Sequence, residues 1–223
     1  MSSGSDTERL IGRLAASAEP VRRLRPPLLR AALWLGAVAA AVSAAILIFA
    51  DLHVFAVRAA DPKLALELTG TLLTGILAVI AAFELSLPDR SRAWVLLPLP
   101  SLGLWIGASG YSCWRHWLVH GPDGWVIGES ADCFRFILGV SVPLAMSLVV
   151  MLRRAAPLAP VPVAAMGGLG VAAIAAFTLQ FFHPFDVTFM DLGIHAAAVA
   201  IVVACVAAFE RATERRRGRG PAL

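Results

Sequence analysis

The chain has 223 residues, of which 59% are hydrophobic and 15% charged, with a mean hydropathy of +0.77. A soluble domain carries about a quarter charged residues, and here the apolar excess is gathered into uncharged runs close to the ~20 residues that cross a bilayer as a helix. The segments outside those runs are too short to bury cores of their own. That excludes a soluble catalytic, nucleotide-binding or DNA-binding domain, and the net charge of +4 is not a nucleic-acid signal.

In chain order, residues 1–30 read as a cytoplasmic arm. Ser5 and Glu8 fit a capping box, Leu10, Ile11 and Leu14 form an apolar stripe at helical spacing, and Pro20 stops the helix. Val21 to Pro27 then form a stiff basic linker. One amphipathic helix of about three turns is not stable alone in water. The stripe therefore needs cover, from the membrane surface, the bundle's inner face or a soluble partner.

Six uncharged runs predict transmembrane helices at 31–50, 66–86, 94–114, 134–152, 161–182 and 191–209, followed by a basic tail at 210–223. The fold class is an all-α polytopic bundle. Glu67 and Glu84 bracket the second span, near the interfaces where a charge costs least. Gly103 and Gly107 on the third span, and Gly70, Thr71, Thr74 and Gly75 on the second, have the spacing of close helix contacts, read as packing within the chain. Pro98 and Pro100 loosen the start of the third span, and Pro143 kinks the fourth.

The basic residues fix an orientation. Six precede the first span, Arg90 and Arg92 follow the second, Arg153 and Arg154 follow the fourth, and five follow the sixth. Only Arg58, Lys63, Arg115 and Arg135 fall on the other side. Basic residues collect in the cytoplasm, so both termini are expected there.

The middle thirds of the spans hold no acid and no histidine, which argues against ion-coupled transport and against haem ligation between facing helices. The reactive residues collect instead at the outer surface. All five histidines lie there or close to it, and Cys113 and Cys133 flank the longest outer loop. Imidazole and thiolate are ligands for borderline metals, which makes His116, His120 and His183 metal candidates, although their spacing is not a metal motif. Cys113 ends the third span and Cys133 starts the fourth, so an antiparallel pair would hold them at similar depth, as a disulfide or as two rim thiols. Cys205 reads as a packing residue. The absence of a CxxC argues against a thiol-oxidising relay.

The chain also resembles the NrsF group of bacterial membrane anti-sigma factors. The resemblance runs through Leu10-Ile11, Leu14-Ala15, Pro20-Val21, Leu24, Pro26-Pro27, Arg30 and Trp34-Leu35. It continues through Glu67-Leu68, Ala81-Ala82-Phe83, Ser86 and Pro88, then Pro143-Leu144-Ala145, Arg153-Arg154 and Ala156-Pro157, and ends at Phe182-His183-Pro184-Phe185-Asp186, Met190 and His195. It implies a six-helix inner-membrane protein, not an enzyme and without a cofactor. Such a protein sequesters an extracytoplasmic-function sigma factor and releases it under stress, with no nucleic-acid contact of its own. Its sigma contact maps to Leu10, Ile11, Leu14, Pro20 and Val21, and its signal detection to Cys113 and Cys133. The competing readings are a membrane redox or metal- or cofactor-handling protein using the outer His and Cys residues, and an assembly subunit of a larger membrane complex.

Overall fold

A computed structural model describes residues 3–17, 24–121, 127–155 and 157–182, together with 193, 196, 197, 200–205, 208, 209, 211 and 212. The described residues form helices and connections, with no strand among them. The elements are α1 (Ser3–Ala16), α2 (Pro27–Phe49), α3 (Leu52–Arg58), α4 (Pro62–Leu85), a 3-10 helix (Arg92–Leu96), α5 (Leu99–His120), α6 (Ile127–Arg153) and α7 (Pro160–Leu179). Five helical stretches are long and apolar enough to cross a membrane, at Pro27–Phe49, Pro62–Leu85, Arg92–Val119, Phe134–Arg153 and Pro160–Leu179. They coincide with the first five predicted spans. Eight of the nineteen positions of the sixth lie outside the described residues, and its described positions are helical.

Proline sets several of the helix starts. Pro27, Pro62 and Pro160 each open a helix, where the missing N–H would have had no partner. These starts lie ahead of the predicted ones, so α2 begins inside what reads as the arm. Asp61 caps α4 by accepting from the Lys63 N–H at 2.9 Å. α1 begins at Ser3, so Ser5 lies within the helix rather than at its cap, and the expected capping box is not its start. α3 was not expected; Asp51 caps it through the N–H groups of His53 and Val54.

α4 is the hub, packed on α7, α5, α2 and the 3-10 helix, while α6 packs on α7. Its close contacts are made at glycines. A Cβ on Gly170 of α7 would lie 2.7 Å from Val79 Cγ2 and 3.1 Å from the Gly75 oxygen of α4, and one on Gly70 would lie 2.8 Å from the Trp105 nitrogen of α5. A Cβ on Gly168 would meet Val203 Cα at 2.8 Å, which brings the 200–205 segment against α7. Gly103 and Gly107 differ: no described atom lies within 4 Å of either Cβ position. Among the described residues the expected packing of this motif within the chain is not seen, because the opposite side of α5 is the one that meets α4. Inside the bundle, Thr71, Thr74 and Thr178 donate to the carbonyls of Glu67, Gly70 and Ile174 one turn back, at 2.6 to 2.8 Å. Their hydroxyls are thereby satisfied without a partner helix.

Candidate functional site

The bundle has two chemically different ends. The arm end holds the start of α2, the ends of α4 and α6, and the start of α7; the far end holds the opposite termini.

At the arm end, every residue from Asp6 to Ser17 is exposed. Leu10, Ile11 and Leu14 are 57%, 59% and 61% exposed, and their spacing places them on one side of α1. The remaining circumference is polar, with an ion pair of Arg9 to Asp6 at 3.6 Å. Ser17 Oγ donates to the Leu14 oxygen at 3.2 Å and closes the last turn. Pro20 and Val21 lie outside the described residues.

Beneath the arm, α2 is fastened to α6 on successive turns. Trp34 Nε1 donates to Ser147 Oγ at 3.0 Å, and Arg30 Nη2 donates to the Met151 carbonyl. Arg30 is 6% exposed, and its guanidinium carbon stands 5.1 Å from the centroid of the Phe83 ring. Glu84, 2% exposed, faces Arg90 with Nε at 3.1 Å from Oε2. This is an ion-pair distance without the angle of a hydrogen bond. Arg153 stands over the Phe209 ring at 4.4 Å. Orientation counting treats Arg30 as one cation among many and Glu84 as an interfacial acid. Packing instead buries both inside protein. The signal that could have found Arg30 is a charge three residues into an apolar helix that starts at Pro27.

At the far end, α3 lies across the end of α7. Arg58 donates to the Gln180 carbonyl at 2.9 Å and to its Oε1 at 3.3 Å, and Phe55 stacks on Phe181 with centroids 4.3 Å apart. The first of these places a cation at a helix C-terminus, where the dipole favours it. The backbone hydrogen bond from Lys63, helped by the Lys63 ammonium, holds the Asp61 carboxyl below the usual carboxylate range. Glu67 is buried, 4% exposed, and its Oε1 accepts from Ser112 Oγ of α5 at 2.6 Å.

Ser112 precedes Cys113, and here the helix ends differ from expectation. α5 runs on to His120, where Gly121 closes it with φ of 70°. Cys113 is therefore within the helix rather than at its end, and His116 and His120 lie on α5 rather than in a connection. Cys113, His116 and His120 stand at i, i+3 and i+7, the register of one helix face. Cys133 likewise falls inside α6, which begins at Ile127. α5 packs on α4 and α6 on α7, so the two helices expected as an antiparallel pair meet at most marginally. His183 and His195 lie outside the described residues, and no three His, Cys, Asp or Glu among the described residues converge on a common point.

No curated protein and no solved structure matches the chain. A family model does, over residues 14–215. That span takes in Leu14, Arg30, Glu67, Glu84, Cys113 and Cys133 but begins after Leu10 and Ile11. With most of its length matched, the chain belongs to the NrsF family, whose members are described as negative regulators of sigma F.

Proposed function

We propose that this protein is a bacterial inner-membrane anti-sigma factor. It crosses the membrane six times with both termini in the cytoplasm, and α1 holds an extracytoplasmic-function sigma factor through Leu10, Ile11 and Leu14, extended by Pro20 and Val21. It is a regulator without a catalytic step. The observation that carries the reading is the exposed apolar stripe of α1, in a chain whose family regulates a sigma factor. The helical residues of 200–205 beside Gly168 support a sixth span, and fifteen of nineteen basic residues fall on the arm side of the six-span layout.

Release follows a stress signal at the far end, with Cys113 and Cys133 as its detectors. The register of Cys113, His116 and His120 supports that end as the chemically responsive one. Coupling to the arm requires two bundle states with different affinity for sigma. The fastening of α2 to α6 gives a physical route, because Cys133 and Met151 share one helix.

The deciding experiment uses the full-length chain co-expressed with its sigma factor. Each leucine that seats in a groove contributes about 1.5–3 kcal/mol, so Leu10→Glu with Leu14→Glu should move sigma from the membrane fraction to the soluble fraction while the variant stays in the membrane. Full retention of sigma by that variant would transfer the contact to the inner loops.

A further inference from the structure

We propose that Arg30 is the core of a phosphate-binding site at the arm end of the bundle, taking the phosphate of a phospholipid headgroup. The guanidinium has five N–H donors in a fixed fork. Nη2 is committed to the Met151 carbonyl, the Phe83 ring lies under the flat face, and Nη1 is buried with no hydrogen-bond partner. A buried cation normally has an anion beside it, because leaving its water is costly unless an opposite charge replaces that water. Arg30 has none. Its charged neighbour is Arg154, which repels it, and Glu84, the next residue after Phe83, faces Arg90 instead.

The surroundings select the class of anion. Arg30 sits in the first turn of α2, whose leading amides at Leu28 and Leu29 have no helical acceptor and lie at the positive end of the helix dipole. Leu28 and Leu29 are exposed, and Arg25 before them is exposed as well. A helix that enters a bilayer at Pro27 has its first turn at headgroup depth. Trp34, one turn deeper, is buried against α6 with its Nε1 on Ser147 Oγ, which fixes this end of α2 in place. Forked donors, free amides and neighbouring cations match a tetrahedral oxyanion, and basic pockets between helices near the membrane surface suit lipid headgroups. The site rests on the membrane placement and is independent of sigma binding.

The test uses the full-length protein purified in detergent and stripped of lipid. Three probes are compared by native mass spectrometry and by the shift in melting temperature: phosphatidylglycerol, a galactolipid with the same acyl chains, and inorganic phosphate. The expected result is saturable phosphatidylglycerol binding that weakens about tenfold in Arg30→Lys, which keeps the charge and loses the fork. It should weaken further in Arg30→Leu, and the galactolipid should not substitute. Saturable, Arg30-dependent binding of inorganic phosphate without a preference for phosphatidylglycerol would retain the oxyanion site and overturn its lipid source. Equal phosphatidylglycerol binding by the wild type and Arg30→Lys, or equal binding of the galactolipid, would overturn the proposal. The Lys variant keeps that judgement possible if the Leu variant fails to fold. Carbonate extraction of the wild type from membranes is read separately. Release by carbonate would refute the membrane placement, and the inorganic phosphate arm would still decide the role of Arg30.

Discussion

The glycines of this bundle permit a stability experiment in which most of the unknowns cancel. Gly170→Ala puts a methyl 2.7 Å from Val79 Cγ2, 3.1 Å from the Val79 nitrogen and 3.1 Å from the Gly75 oxygen. Two of those three neighbours are backbone and cannot rotate away, so α4 and α7 must separate by several tenths of an ångström. A gap of about 0.5–1 Å forfeits a quarter to a half of each contact along the pair, and overpacking of this kind costs about 1–3 kcal/mol. Gly103→Ala makes the same chemical change on α5 with no described atom within 4 Å. Both variants gain the same helix propensity, about 1 kcal/mol. Their difference therefore isolates the clash, with Gly170→Ala less stable than Gly103→Ala by about 1–3 kcal/mol. At about 2–4 °C per kcal/mol for a chain of this size, melting curves in one detergent resolve the pair. Coincident curves would mean that α4 and α7 do not meet at Gly75 and Gly170.

Three further outcomes are expected. Reporter fusions at Arg92, Arg154 and Arg217 should be cytoplasmic and fusions at Lys63 and Pro122 exported; an exported signal at Arg217 would defeat the six-span layout. Thiol labelling of membranes should find Cys113 and Cys133 protected until reductant is added, and equal labelling before and after reduction would exclude a bridge between them. The Asp61 carboxyl titrates lower in the folded chain than in the unfolded one, so its contribution is complete above the ordinary carboxylate range and is lost as the pH falls through the lowered value. Asp61→Ala should thus flatten the acid limb of the melting curve against pH; an unchanged limb would show that this cap does not report on folding.

Much of the architecture could be read in advance because transmembrane helices advertise themselves by what they lack. Uncharged runs placed five spans, and the basic residues that bound them remain the best guide to sidedness. What escaped was contact. Gly75 and Gly103 belong to equivalent spacing patterns, yet among the described residues only Gly75 has a helix against it, because a motif states that close approach is possible and the fold decides whether it happens. Arg30 carries the same charge as Arg25, but it lies on the face of α2 that turns toward Phe83 and Met151. The extension of α5 beyond residue 114 was hidden by Arg115, His116 and His120, polar residues that end an apolar run without ending a helix. The α1 stripe was legible throughout, since amphipathic spacing with nothing to cover it is a property of sequence alone.

The partnership between α4 and α7 also has a consequence for biosynthesis. α4 leaves the ribosome second among the long apolar helices, carrying Glu67 and Glu84, and the side chains that face those acids, Ser112 and Arg90, are made later. Its contact at Gly75 waits longer still, until Gly170 has been translated. The most deeply packed helix is therefore the fifth of the long ones to arrive, and until then α4 is packed chiefly on α2, the 3-10 helix and α5. Truncation before Pro160 would leave Gly70 of α4 on Trp105 but strip Gly75 of the helix that covers it.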